Sequence, residues 1–193
     1  CLSRIGRFMK GIEIMPAYNF NNISQFMTLM TFNIQQSRRG NYCESQYFEV
    51  GKRIETFIYI FPCNMNENER DVKLYGTGGQ LLKTLKALLF ELNRLKRLKL
   101  IDLMLERYEA KHLLDEVLES CNFVMQHLCL INVTSTHCPI MHVGLFFNLQ
   151  VLIISPQNLD DDVLQLLANT SLKHLHIFQN KYSPVSPAPC SEK

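Results

Sequence analysis

One spacing of apolar residues recurs four times in the second half of the chain and limits its fold more than any other feature. The stretch from Leu172 to Asn180 has apolar residues at its first, fourth and sixth places and asparagine at its ninth. Stretches that begin at Leu95, Met125 and Leu149 repeat the three apolar places. The four starting residues lie 30, 24 and 23 residues apart. Such intervals hold one strand and one returning helix, and a unit of that size buries its apolar face only against a neighbouring unit.

This spacing is typical of the strand and turn of a leucine-rich repeat. We therefore predict the α/β fold class and a leucine-rich-repeat solenoid, with parallel β-strands on its concave side and helices on its convex side. The solenoid is predicted to span residues 1–180. Residues 181–193 are rich in serine and proline, which predicts a disordered tail or linker. Two Ser-Pro steps in it, at Ser183 and Ser186, are candidate phosphorylation sites.

The first 60 residues contain three weaker matches to the same spacing, and we interpret each as a further repeat. They are Met9, Ile12 and Ile14; Leu29, Phe32 and Ile34; and Ile54, Phe57 and Tyr59. The polar segment 64–71 that follows is long enough to be a mobile insertion. Because the chain begins with Cys1 and shows the pattern almost at once, we expect it to be a fragment of a longer protein.

Helices are predicted between the later strands. Leucines recur at helical spacing from Leu81 to Leu92, after the glycine-rich run 76–79, which predicts a turn followed by a helix. The run lacks the Gly-Lys-Ser/Thr ending of a phosphate-binding loop, so a plain turn is favoured. A second helix is predicted over residues 103–120, and helix and strand should alternate from there to Asn180. Its sheet-facing residues are predicted to be Leu105, Tyr108, His112, Leu113, Val117 and Leu118.

Charge and composition argue against two kinds of partner. The 193 residues carry a formal net charge of +2, so no strong field attracts nucleic acid or an acidic membrane surface. There is no apolar span of 18 residues and no signal peptide, and we predict no membrane partner. The seven cysteines lack disulfide spacing, which indicates reduced thiols in the cytoplasm or nucleus. Three glycosylation-type sequons, at Asn22, Asn132 and Asn169, indicate the opposite compartment.

The repeat register predicts which residues meet a partner. Side chains alternate at period two along a strand, so the third and fifth places of each repeat point to the concave surface. Stacked strands place these residues in two rows: Arg97, His127, Val151 and His174 in one, and Lys99, Cys129, Ile153 and His176 in the other. Phe178, one place beyond the last strand, is predicted to add an aromatic anchor. The alternative interpretation is that all of these are solvated strand residues.

The cysteines and histidines that could bind a metal are better explained without one. Thiolate and imidazole are the preferred ligands of zinc, but no cysteine pair has the short Cys-x-x-Cys spacing. The residues concerned are Cys121, Cys129, His137, Cys138 and His142. His174 and His176 share a strand face at a separation of about 6.6 Å, and two exposed imidazoles are favoured over a metal or pH-sensing site.

Two charged runs also have plainer explanations. Asp160, Asp161 and Asp162 stand where a helix is predicted to start, so capping of free amides is favoured over a metal site or acid–base chemistry. The basic run 94–99 is interrupted by leucines of the core pattern and has no interleaved aromatics for stacking on bases. A solvated edge, or one that faces an acidic partner, is favoured over a phosphate contact.

Two helix-to-strand junctions carry a more specific resemblance. Residues 114–121 and the strand after them resemble the cysteine-containing repeat in which a helix ends Leu-x-x-Leu-Ala-x-x-Cys. Residues 164–171 are similar, with Ser171 in the cysteine place, and residues 158–163 resemble the Leu/Ile-Thr-Asp helix start of the same repeats. This subtype is most familiar in F-box proteins, the substrate receptors of Skp–cullin–F-box ubiquitin ligases. The resemblance covers about residues 80–180 of the chain.

The resemblance implies a protein-interaction module without a catalytic residue or a cofactor. Its concave face would hold a protein substrate while the assembled ligase ubiquitinates it for proteasomal degradation. The Skp adaptor and the cullin would be recruited only through an upstream F-box, because no stretch here matches one. Two alternatives remain: a repeat adaptor or inhibitor unrelated to ubiquitin, and a thiol or metal enzyme built on His127, Cys129 and His174.

Overall fold

The computed structural model of the protein describes residues 9–15, 20–38, 53–62 and 67–178. Within these ranges six strands form one all-parallel sheet, and they follow one another across the sheet in chain order. They are β1 (Gly11–Ile14), β2 (Thr56–Ile60), β3 (Arg97–Ile101), β4 (His127–Ile131), β5 (Val151–Ile154) and β6 (His174–Ile177). The chain is therefore of the α/β class, as predicted. Asn180, Ser183, Ser186 and the predicted tail lie outside the described residues.

The register of the sheet agrees with the predicted repeat spacing. Leu98 pairs with Leu128, Leu128 with Leu152 and Leu152 with Leu175. The same row continues through Phe57 to Ile12 on the other side. Two of the three weaker matches, those that contain Ile12 and Phe57, are thus confirmed as strands of this sheet.

Helices cover one face of the sheet. They are α1 (Phe20–Arg38), α2 (Glu67–Glu91), α3 (Arg107–Cys121) and α4 (Asp161–Leu167), with short 3-10 helices at Met141–Leu145 and Pro156–Asn158. Helix α2 packs between α1 and α3, and α4 packs on the first 3-10 helix. In β2 to β5 every second strand residue, as at Leu98 and Leu128, is buried in one apolar core with helix residues such as Leu85 and Val117. Burial of this apolar surface is the main force that holds the layers together.

The predicted strand at residues 29–34 is wrong, because these residues lie in α1. Leu29 is 55% exposed and Phe32 is 53% exposed, whereas Met27, Met30 and Ile34 are buried. The buried positions are separated by three and four residues, the period of an amphipathic helix. Three apolar residues at strand-like spacing had matched the repeat by coincidence.

The predicted insertion and glycine turn before the first leucine helix are also wrong in part. Helix α2 begins at Glu67, inside the polar segment, and continues through the glycine-rich run to Glu91. Gly79 has a φ of 71°, a left-handed conformation that glycine adopts without a steric penalty. The run therefore marks an irregularity within a helix, not a turn that precedes one.

Two further predictions between the later strands need correction. Helix α3 starts at Arg107 instead of residue 103, and Tyr108, predicted to face the sheet, is 68% exposed. Leu105 is buried but belongs to an isolated parallel bridge with Thr134. Between β4 and β5 a 3-10 helix replaces the expected α-helix. Pro139 lies just before it and would interrupt a regular helix there.

Polar side chains tie the carboxyl ends of the central strands together. Asp102 and Asn132 both have positive φ, and the Asn132 side-chain amide donates to the Asp102 carboxylate at 2.8 Å. The Asn132 backbone N–H donates to the Ser155 hydroxyl at 2.9 Å. The predicted helix cap is confirmed, since the Asp160 carboxylate accepts a hydrogen bond from the Val163 N–H at 2.8 Å. The hydrogen bonds of Asn132 join the ends of β3, β4 and β5 and so help to fix the register of these strands.

Among the described residues, no helix has both the length and the apolar character that a membrane crossing requires.

Candidate functional site

The face of the sheet opposite the helices, here called the open face, carries the residues predicted to meet a partner. The strand register aligns Arg97, His127, Val151 and His174 in one row and Lys99, Cys129, Ile153 and His176 in the next. Both predicted rows are confirmed as neighbours in the sheet. Neighbouring strands lie about 4.8 Å apart. Side chains of one row on adjacent strands are therefore close enough to contact one ligand together.

A groove of about 250 Å³ lies in the middle of the open face. Six of the nine predicted partner-binding residues line it: Arg97, Lys99, His127, Cys129, Val151 and Ile153. Thr56 and Ile58 of β2, which the sequence analysis did not select, complete its wall. The sequence could have predicted these two residues, because they occupy the third and fifth places of the weak match that begins at Ile54.

The other three predicted residues lie outside this groove. His174 and His176 are exposed on β6, with stacked rings whose centroids are 6.4 Å apart. Phe178 is 47% exposed just after β6, and its backbone N–H donates to the Ile154 carbonyl at 2.9 Å. These residues extend the open face toward one edge of the sheet without enclosing a ligand.

The basic side chains of β2 to β5 on the open face are Arg97 and Lys99 of β3, and the exposed Glu13 lies two strands away on β1. Arg97 and Lys99 form no ion pair within the part of the chain that the structure describes. The nearby Lys96 instead holds Glu55, with its ammonium donating to the carboxylate at 3.0 Å. This hydrogen bond lowers the pKa of Glu55. The cations of β3 are therefore available to an acidic partner.

The residues of β4 in the groove are uncharged at neutral pH. Burial, and then the charge of Arg97, lowers the pKa of His127, which favours a neutral imidazole. Burial raises the pKa of the Cys129 thiol to about 11. Because the thiolate is the form that attacks substrates and binds metals, Cys129 is a poor nucleophile and a poor ligand at neutral pH.

The candidate zinc residues are not gathered at one site, although Cys138 and His142 line the same slot beside α3. Cys121 is buried at the end of α3, where its thiol donates to the Val117 carbonyl at 3.0 Å, whereas Cys129 lies on the open face. His142 instead contacts the Asp115 carboxylate at 2.7 Å. Within the described ranges, no three histidine, cysteine or acidic side chains are arranged to hold a metal ion.

Two surface features on the helix side were missed by sequence reasoning. A slot of about 190 Å³ lies between α3 and the segment that follows β4, with Arg107 and Lys111 among its lining residues. The exposed rings of Phe123 and Phe147 stack on each other, with their centroids 5.2 Å apart. Each feature joins residues that are far apart in the sequence, and periodicity gives no signal for such contacts.

Comparison of the chain with protein-family models, with curated proteins and with solved structures found no match.

Proposed function

We propose that the chain is a leucine-rich-repeat solenoid whose open face, its concave side, binds another protein. The observation that carries the proposal is the register of the sheet, which aligns two rows of outward side chains across β3, β4, β5 and β6. These rows combine a basic strand, an apolar strand and two exposed imidazoles. Protein interfaces are typically built from such a mixture of apolar centre and charged surroundings.

The chemistry of the groove supports contact more than catalysis. The Cys129 thiol is held in its protonated form, which is a weak nucleophile and a weak metal ligand. Arg97 and Lys99 form no ion pair with an acidic residue among the described residues. A cationic strand beside an apolar strand fits a partner that presents an acidic and an apolar group.

We further propose that this module is the substrate-recognition region of an F-box-type receptor of a Skp–cullin–F-box ubiquitin ligase. This step rests on the resemblance of the two helix-to-strand junctions, of which Cys121 and Ser171 are the characteristic residues. The mechanism is positioning. The open face holds the substrate so that its lysines reach the ubiquitin-transfer machinery, and the Skp adaptor and cullin bind elsewhere on the parent protein.

Affinity capture with quantitative mass spectrometry tests the binding face. The test variant combines Arg97→Glu and Lys99→Glu on the open face. The matched control combines Lys83→Glu and Lys111→Glu, which reverse two exposed charges on the helix side. We expect proteins captured by the unmodified chain to be retained by the control and lost from the test variant. Equal capture by both variants would contradict the proposed face.

The ubiquitin assignment requires a second measurement on the captured proteins. If they are ligase substrates, their half-lives in cells should lengthen when cullin-dependent ligases are inhibited. Unchanged half-lives for proteins that depend on the open face would instead identify a repeat adaptor or inhibitor unrelated to ubiquitin.

A further inference from the structure

The groove on the open face is longer across the strands than along them. Its lining runs from Thr56 on β2 to Ile153 on β5, which covers three strand spacings, or about 14 Å. Along a strand it extends only from Arg97 to Lys99, or about 6.6 Å. An elongated ligand therefore contacts more of the lining when it crosses the strands than when it runs parallel to them.

The character of the groove changes along this longer direction. Arg97 and Lys99 of β3 form a cationic pair, and Val151 and Ile153 of β5 form a half-buried apolar pair. One neutral strand lies between the two pairs. The cationic and apolar pairs are thus separated by two strand spacings, about 9.6 Å. A ligand that contacts both must carry its acidic and apolar groups at that distance and on one side.

One backbone conformation matches this distance within so narrow a groove. A polyproline II segment has three residues per turn and a rise of about 3.1 Å per residue, which places residues i and i+3 on one side about 9.3 Å apart. A β-strand repeats on one side at about 6.7 or 13 Å, which misses the spacing. An α-helix returns to one side after about 5.4 Å and again after about 10.8 Å, and neither distance matches the spacing as closely.

We propose that the groove binds a polyproline II segment of a protein partner in which an aspartate or glutamate and an aliphatic or aromatic residue are three positions apart. The acidic side chain contacts Arg97 and Lys99, and the apolar side chain packs on Val151 and Ile153. This inference rests on the proposed function, because it names the class of segment that the open face recognises.

Fluorescence anisotropy with labelled peptides tests the spacing on the full chain. The reference peptide contains Glu-Pro-Pro-Leu between polyproline flanks, and two others contain Glu-Pro-Leu and Glu-Pro-Pro-Pro-Leu. We expect each change of spacing, and replacement of the glutamate by glutamine, to weaken binding by about tenfold, or ~1.4 kcal/mol. Equal binding of all spacings, or no binding of the reference peptide, would overturn the inference.

A charge exchange separates loss of contact from loss of folding. Arg97→Glu with Lys99→Glu should weaken the reference peptide and strengthen a peptide with Lys-Pro-Pro-Leu, which an unfolded variant cannot do. Failure of the exchange would show that the acidic group binds elsewhere. If capture of cellular proteins depends on the open face while peptide spacing has no effect, the proposed function stands and only this inference fails.

Discussion

At the residue scale, a few side chains determine where the strands end and what the open face presents. Asn132, part of one of the three sequons, is buried and takes a φ of 49°. Its amide joins β4 to Asp102 after β3, so its role in the structure is to connect adjacent turns. Cys129, the fifth residue of the stretch that begins at Met125, presents a neutral thiol. Repeat spacing singled out Cys129 and the sequon singled out Asn132, but neither the burial nor the hydrogen bonds follow from these patterns, since they depend on neighbouring strands.

Replacement of Asn132 separates its two contributions. Asn132→Ala removes the hydrogen bond to Asp102 and leaves a Cβ-bearing residue without polar compensation at positive φ, so we expect the free energy of unfolding to fall by about 2 kcal/mol. Asn132→Gly removes the same hydrogen bond but tolerates the conformation, and a loss of about 1 kcal/mol is expected. Urea unfolding measures both. Equal losses would show that the positive φ contributes no strain.

The pH dependence of thiol alkylation tests the state of Cys129. Because burial raises its pKa to about 11, the thiolate fraction is small below that pH. Peptide mapping after iodoacetamide treatment should show slow modification of Cys129 at pH 8, with a rate that rises toward pH 11. In the unfolded chain the same cysteine should react readily at pH 8. Equally fast reaction in the folded chain would support the thiol-enzyme alternative.

At the element scale, the later strands and the leucine-rich part of α2 were predictable, whereas α1 and the start of α2 were not. From Leu95 onward the spacing recurs at similar intervals, and in β3, β4 and β5 the core burial of every second residue leaves a direct trace in the sequence. In α1, three apolar residues matched a strand although the longer pattern of Met27, Met30 and Ile34 is helical. The sequence predicted only part of the groove lining, because Thr56 and Ile58 belong to a weak match to the repeat spacing.

The cap of α4 can be tested by single substitutions. This helix has only seven residues, and the Asp160 carboxylate satisfies an otherwise free N–H at its start. Asp160→Ala should lower the free energy of unfolding by about 1 kcal/mol. The control, Asp162→Ala, removes an exposed carboxylate that does not serve as the cap. We expect it to change the free energy of unfolding by only about 0.3 kcal/mol. Similar effects of both substitutions in urea unfolding would argue against a specific cap.

At the scale of the whole molecule, each strand is stabilised by its neighbours. On β5 the core residue Leu152 is fully buried, but on β6 Leu175 is 37% exposed and Ile177 is 59% exposed. Within the described ranges, helices bury the inner side of β5 but leave that of β6 open. Sequence spacing alone assigns both leucines the same place in a repeat, and only their position in the sheet distinguishes them.

This difference predicts unequal costs for the same substitution. Leu152→Ala creates a cavity in the closed part of the core, and we expect a loss of about 3 kcal/mol in urea unfolding. Leu175→Ala removes a partly exposed side chain at the edge of the sheet, and about 1 kcal/mol or less is expected. Equal losses would mean that β6 is as well covered as β5, contrary to the arrangement described.

The central claim is that the open face is where a partner protein binds, and site-specific photo-cross-linking tests it most directly. A photoreactive phenylalanine derivative is placed at Ile153 on the open face or, as a matched control, at Lys83 on α2, and cells that express either chain are irradiated. We predict discrete cross-linked protein partners from position 153, lost when Arg97→Glu and Lys99→Glu are added, and none from position 83. Cross-links from position 83 alone, or from position 153 regardless of the charge reversals, would contradict the account.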